Sequence, residues 1–555
     1  MAYPRKRAVT ACQVCRARRT KCDQKKPRCS FCESTGAECI SEPAALSTFD
    51  PASLAILERL GTVEKKLDSL ISSSPTVSAD KLNDVSGNVT DAPEKLVPES
   101  LLPENLDEVL KWPVFRDVMC PWPPSPQLSS PPASSLTSFQ PSFMGDELNP
   151  TMCNQYLDTF FGHVHIKNPV LDEPYIRRLV RKVCLEGAGW DAESCLALLV
   201  CANGAIARPI SSPSLSKEEL GASTGKALFV TAQKRMGSIL ESAGIVQAHC
   251  LFLAGVYMMT ALRPFDAWRL FLQGLAVCQS FTFIRRRPPS TLTSDGGNPP
   301  EESIYWSCWK SERELRWELG LPDFGNPSLD PPQLFPGLPH GCGDETLHAW
   351  YFYLSEISLW RLETEARMEI TRCVSEKQPI GPLLELLAEV SDSNQQQLAK
   401  WQTSLPLIVS ISDGCSSDAE TDVLKFVLRG RTTYIHELIS WPFISSAITG
   451  GHGAMSSKAR ERAIEGLQSH VDRLMINRPG FYHRHHGTWL MIRSSARSAC
   501  MLLAIARTPS TRDLLPGKWR EAVEDTIEML YFWSLEVDGI ENTAVFLRFI
   551  LSEFI

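Results

Sequence analysis

The 555-residue chain carries a formal charge of −8, with 43% hydrophobic and 22% charged residues, proportions that suit a globular protein and exclude wholesale disorder or a collagen-like structure. At roughly one domain per ~150 residues, the length allows three or four domains. The longest continuous apolar run, Cys250 to Leu262, is shorter than the ~20 helical residues a bilayer requires, and no apolar stretch follows Met1-Ala2-Tyr3-Pro4-Arg5-Lys6-Arg7, so neither a membrane span nor a secretory signal is expected.

In a soluble intracellular protein the 18 cysteines are expected to be reduced thiols or metal ligands rather than disulfides. Six of them fall within the first 39 residues and the rest are scattered singly. Residues 1–40 hold ten Lys/Arg and three acids, a net of +7, which leaves −15 on the remainder. A small basic head on a large acidic body points to a polyanionic partner for the head.

The head reads Cys12-x2-Cys15-x6-Cys22 and then Cys29-x2-Cys32-x6-Cys39, a tandem repeat with the same internal spacing. Closely spaced thiolates suit tetrahedral zinc. Two closed sites need eight ligand positions, which six cysteines supply only if two thiolates bridge. By the repeat, the bridging pair is 12/29, 15/32 or 22/39. A single site from Cys12, Cys15, Cys29 and Cys32 is the simpler alternative, but it leaves the repeated x6 spacing unexplained.

The run Cys12-Gln-Val-Cys15-Arg-Ala-Arg-Arg-Thr-Lys-Cys22, with Lys26-Pro27-Arg28-Cys29 and Cys39, resembles the fungal zinc binuclear cluster (two-zinc, six-cysteine) transcription factors. The resemblance implies two Zn²⁺ ions per chain, bridged by Cys12 and Cys29. Cys15 and Cys22 would complete one site, Cys32 and Cys39 the other, and Pro27 would shape the loop between the halves. With so few apolar residues, a head of this kind draws most of its folding energy from metal. Double-stranded DNA is the implied partner. Arg19 is the implied base-reading position, with Arg18 beside it and CGG-type triplets as half-sites, since guanine O6 and N7 accept from Arg or Lys in the major groove. Many relatives carry Lys where this chain has Arg19, which alters the hydrogen-bond geometry. Arg16, Lys21 and Lys26 are expected on phosphates, with a steep salt dependence. Pro4-Arg5-Lys6-Arg7 suits nuclear import or a DNA-contacting arm.

Residues 1–45 are thus expected to form the DNA-binding domain. Over 52–72, Ile56, Leu60, Val63, Leu67 and Leu70 recur at spacings of 4 and 3 with Glu and Lys on the flanks, which predicts a short parallel coiled coil and a homodimer. A short amphipathic helix packed on the body is the alternative. Residues 73–148 read as a Pro/Ser-rich disordered linker, with 14 Pro or Ser among the 22 residues from Pro121 to Ser142. Inside it, Leu106 to Phe115 is an apolar island expected to dock on the body.

Residues 149–555 show helical spacing throughout and predict a large all-α regulatory domain, with two lobes meeting near 322–345. Tyr156, Leu157, Phe160, Phe161 and Val164 share a face, as do Leu383, Leu384, Leu387 and Val390. The apolar stretches 196–206 and 250–262 predict helices buried all round. Several segments resemble the fungal-specific regulatory domain that accompanies this cluster: Gly189-Trp190-Asp191, Lys234-Arg235-Met236-Gly237, Arg263-Pro264 with Trp268, and Tyr305-Trp306 to Leu319.

Chemical motifs in the body are weak. Gly221 to Lys226 imitates a phosphate loop, but it is one residue short and lacks the Ser/Thr needed on Mg²⁺. His483, His485 and His486 are expected to face solvent, and Arg285-Arg286-Arg287 to end a helix. The acidic-aromatic stretch Trp519–Ile555 reads as a terminal amphipathic helix rather than an activation segment. No nucleophile–base pairing emerges, so no enzyme is expected. The reading is a nuclear, sequence-specific transcription factor with DNA and co-regulators as partners, acting on metabolic or secondary-metabolite genes. Two alternatives remain: a helical enzyme or ligand-sensing protein with a purely structural zinc head, and a zinc head used for protein contact.

Overall fold

The computed structural model describes residues 12, 14–15, 18, 20–23, 25–39, 101–102, 105–118, 148–210, 216–281, 299–322, 335–337, 344–376, 378–411, 422–449 and 455–554. The chain divides into two compact units, Met1–Thr90 and Asp91–Ile555. Among the described residues there is no strand. The predicted coiled coil over 52–72, the Pro121–Ser142 stretch and Arg285-Arg286-Arg287 lie outside the described residues.

In the first unit the core is made of sulfur. Cys12, Cys15, Cys22, Cys29 and Cys32 are buried, with Val14, Phe31, Ala37 and Cys39 packed partly against them. One short helix, α1 (Ser30–Thr35), begins at Cys29 and ends where Gly36 takes φ +67° and returns its N–H to the Cys32 carbonyl. That left-handed turn is open to glycine at little steric cost. A cis peptide joins Lys26 to Pro27.

The described residues of the second unit are helices and their connections, without a strand. Its helices are α2 (Leu106–Leu110), α3 (Pro150–His163), α4 (Glu173–Glu186), α5 (Ala192–Ile206), α6 (Lys217–Ala222), α7 (Thr224–Gln233), α8 (Ile245–Thr260) and α9 (Pro264–Cys278). Then come α10 (Pro299–Glu318), α11 (Asp344–Ser375), α12 (Ile380–Ser404), α13 (Val423–Ile448), α14 (Ser457–Asn477), α15 (Thr488–Arg507), α16 (Trp519–Trp533) and α17 (Ile540–Ser552). Many start on a side-chain cap: Asp191 accepts from the Ser194 N–H of α5, and Ser216 and Glu219 form a reciprocal capping box on α6.

The helices pack in neighbouring pairs, α8 on α9, α13 on α14, α5 on α7 and α3, and α9 on α10. A single hydrophobic cluster runs from Leu101 to Leu551, with a smaller one around Phe352, Trp401 and Leu428. The two continuous apolar stretches are buried on all sides, from Cys195 to Gly204 in α5 and from Cys250 to Thr260 in α8. At Gly204 α5 approaches α3 so closely that a Cβ would sit 2.0 Å from the Tyr156 carbonyl oxygen. Helix α15 has the length and hydropathy of a membrane span, although no unbroken apolar run marks it. Its apolar window is 89% buried under neighbouring helices.

The core also recruits residues upstream of 149. Leu101, Leu106, Val109, Trp112 and Phe115 are all buried in the main cluster. Asn105 caps α2 and donates its side-chain amide to the Trp317 carbonyl at the end of α10. Arg493 of α15 bonds both Asp107 (3.0 Å) and Glu318 (2.7 Å), Arg507 holds Asp117 at 2.8 Å, and Phe115 meets Phe546 edge to face. The apolar island expected to dock does so, tied by charge at both ends.

A cysteine cluster as candidate metal and nucleic-acid site

The first Cys pair opens a turn of helix. The Arg18 N–H reaches the Val14 carbonyl and the Thr20 N–H the Cys15 carbonyl, each at 3.0 Å. This local winding carries Arg18 and Lys21 away from the sulfurs, and both are exposed, as is Lys26. Arg16 and Arg19, the other two residues read as DNA contacts, lie outside the described residues.

The Sγ atoms of Cys12, Cys15, Cys29 and Cys32 lie within 4.8 Å of one another. Cys12 is 3.8 Å from Cys29 and 3.6 Å from Cys32, and Cys15 is 3.6 Å from Cys29. A tetrahedral ZnS₄ centre with Zn–S near ~2.3 Å has S···S edges of about 3.8 Å, so these separations fit zinc. Cys12 and Cys29 share one edge, and each also touches a sulfur from the opposite half. Cys22 interacts with Cys15, and Cys39 with Cys32. Burial and then neighbouring thiols push Cys15 up to about 12, so crowded sulfurs of this kind ionise together only beside a cation. The donor set is soft and dense, as zinc requires.

Sequence reasoning passed over Asp23. Its carboxylate accepts the Ser30 N–H at 2.9 Å and the Ser30 hydroxyl, which lowers its pKa and fixes the start of α1 against the loop after Cys22. The signal was an acid immediately after a cysteine of the repeat, in a basic run.

In the body the phosphate-loop imitation has a structural explanation. Ser223 caps α7, and Gly225 is packed so tightly that a Cβ would lie 2.4 Å from Ile206. The expectation of solvent-facing histidines is overturned. His483 is buried, and desolvation lowers the pKa of His483, His485 and His486. Their turn is held down because Arg484 pairs with Glu536 and Thr488 donates to the His483 carbonyl. The segments that resembled a regulatory domain act as braces. Arg235 donates to the Gly189 (2.6 Å) and Ala188 (2.8 Å) carbonyls and lies over the Trp190 ring, and Trp268 donates to Glu312 at 3.1 Å.

Comparison with known proteins agrees with the head. Residues 10–46 match the fungal Zn(2)-Cys(6) binuclear cluster domain. The curated protein "Putative transcription factor ecdB" of Aspergillus rugulosus is 25% identical over 279 residues, 48% of this chain and 46% of that protein. The chain thus aligns with a little under half the length of that relative. The sulfur geometry and the match over residues 10–46 lead to one conclusion: the chain carries an N-terminal fungal Zn(2)-Cys(6) binuclear cluster domain, followed by a large body whose described residues are helical without strands.

Proposed function

We propose that this protein is a DNA-binding transcription factor whose head is folded by two zinc ions. The observation that carries the reading is that Cys22 joins the four-sulfur cluster through Cys15 and Cys39 joins it through Cys32, so all six cysteines gather at one place. Cys12, Cys15, Cys22 and Cys29 hold one ion; Cys12, Cys29, Cys32 and Cys39 hold the other. The metal supplies folding energy and no chemistry. Arg18 and Arg19 read guanine edges in CGG-type half-sites, while Arg16, Lys21 and Lys26 neutralise phosphates. Ile56, Leu60, Val63, Leu67 and Leu70 form the seam of a homodimer, which pairs two heads on two half-sites. The protein works in the nucleus, with co-regulators, on metabolic or secondary-metabolite genes. The transcription-factor name of the Aspergillus relative supports this reading.

The test is selection of binding sites from random duplex DNA by the zinc-loaded full chain. Enrichment of paired CGG-like triplets at one fixed spacing is expected. Single triplets would remove the dimer. No enrichment from protein carrying two zincs would overturn the proposal in favour of a structural head.

A further inference from the structure

The body holds a partly open cavity of about 240 Å³ whose wall combines aromatic and charged groups. A cavity of ~150 Å³ lined by apolar side chains accepts benzene, so this one has room for a ring with a short extension. Phe252, Phe271, Trp317 and Trp360 supply its apolar side.

The charged side is balanced except at one place. Lys310 pairs with Glu356, and Arg431 with Glu314 (2.9 Å) and Glu356 (3.6 Å). Arg497 holds Glu318 at 2.7 Å, Arg473 holds Glu437 at 2.9 Å, and Glu363 meets Arg367 at 3.5 Å. Lys167 also lines the cavity and is only 7% exposed, yet its ammonium has no ion pair or hydrogen bond among the described residues. It sits on the 3-10 turn His165–Lys167 that follows α3. A buried unpaired cation is costly, and a bound anion is the direct remedy. The wall carries one surplus positive charge, which suits one negative charge on the ligand. His485 and His486 lie on the same wall and are uncharged at neutral pH, so they add hydrogen-bonding capacity without adding charge. His485 Nδ1 accepts the Gly487 N–H at 2.9 Å, which leaves its proton on Nε2.

We propose that this cavity binds a small organic monoanion, an aryl or arylalkyl carboxylate, with its carboxylate against the Lys167 ammonium and its ring against the aromatic wall. The site is built from residues of the second unit and needs no DNA to be observed.

Burial lowers the Lys167 pKa to about 8, with Glu356 opposing. The Lys167 charge, after burial, lowers the pKa values of His163, His483, His485 and His486, which are neutral above pH 7. Lys310 is also lowered by burial but is tied to Glu356. Lys167 is thus cationic at pH 7, and a bound carboxylate raises its pKa. Affinity is flat below about pH 8 and falls by about tenfold per unit above it.

The test titrates the zinc-loaded full chain with benzoate and 3-phenylpropanoate, following tryptophan fluorescence because Trp317 and Trp360 line the cavity. Saturable quenching at pH 7 is expected from at least one carboxylate. The corresponding amides and the Lys167→Met variant are expected to bind at least tenfold more weakly. Without ligand, Lys167→Met melts at or above the wild-type temperature, because an unpaired buried charge has been removed. No saturation by either carboxylate up to about 10 mM, amides that bind equally well, or full affinity in Lys167→Met would each overturn the proposal. Should the variant not fold, the amide comparison and the pH profile of the wild type decide alone, and a flat profile from pH 7 to 9 overturns it.

Discussion

The head and the body are held together by different physics. Among the head's described residues the buried side chains are five cysteines, and one six-residue helix is the only helix of that length. A unit with so little apolar surface cannot offset the conformational entropy of ordering its chain, so the metal must. The body buries one hydrophobic cluster from Leu101 to Leu551 and fixes it with internal ion pairs. The head's stability is therefore a matter of ligand chemistry, and the body's is a matter of packing and charge burial.

Chelation separates the two most sharply. Removing zinc is expected to abolish DNA binding and the structure of the head while leaving the body's helical circular dichroism and melting transition in place. Loss of the body's transition on chelation would refute the contrast. Cys12→Ser or Cys29→Ser should lose both ions and Cys22→Ser chiefly one, read as zinc released per chain.

Acid attacks the body through its histidines. Burial lowers His165 to about 3 and His249, His470 and His483 to about 4, against about 6.5 when unfolded. The unfolded chain therefore binds more protons below pH 6.5, and stability falls as pH drops from there toward 4. Each group contributes up to about 2 kcal/mol at pH 5. The body's melting temperature is expected to fall steeply between pH 6.5 and 5, and a flat profile would contradict the burial of these rings.

Substitutions probe the body more locally. Arg493→Ala removes the ion pair of Asp107 and leaves Glu318 to Arg497 alone, and is expected to cost about 3–5 kcal/mol in urea unfolding. The comparison is sharpened if Arg493→Ala also exposes residues 105–118 to protease, since it cuts the tie on α2. Asp191→Ala removes one helix cap and should cost only about 1 kcal/mol by the same measurement.

The head was legible because its chemistry is local. Six cysteines within 28 residues, at repeated spacing, leave few ways to satisfy tetrahedral metal. The helix faces were legible for a similar reason: Leu157, Phe160 and Phe161 are buried together because a helix brings residues three and four apart onto one side. The histidines were misread because burial of a turn depends on what covers it. Arg484 is held by Glu536, 52 residues away.

The sequence by itself determined the cysteine cluster, the helical nature of the body and which faces turn inward, because spacing along the chain sets all three. The tertiary structure alone decided which partners fix the apolar island expected to dock, since the pair that ties it, Asp107 and Arg493, is 386 residues apart. It also decided that Lys167 lies buried and unpaired beside a cavity. Whether a charge is neutralised depends on helices from the whole chain, and no local pattern records that balance.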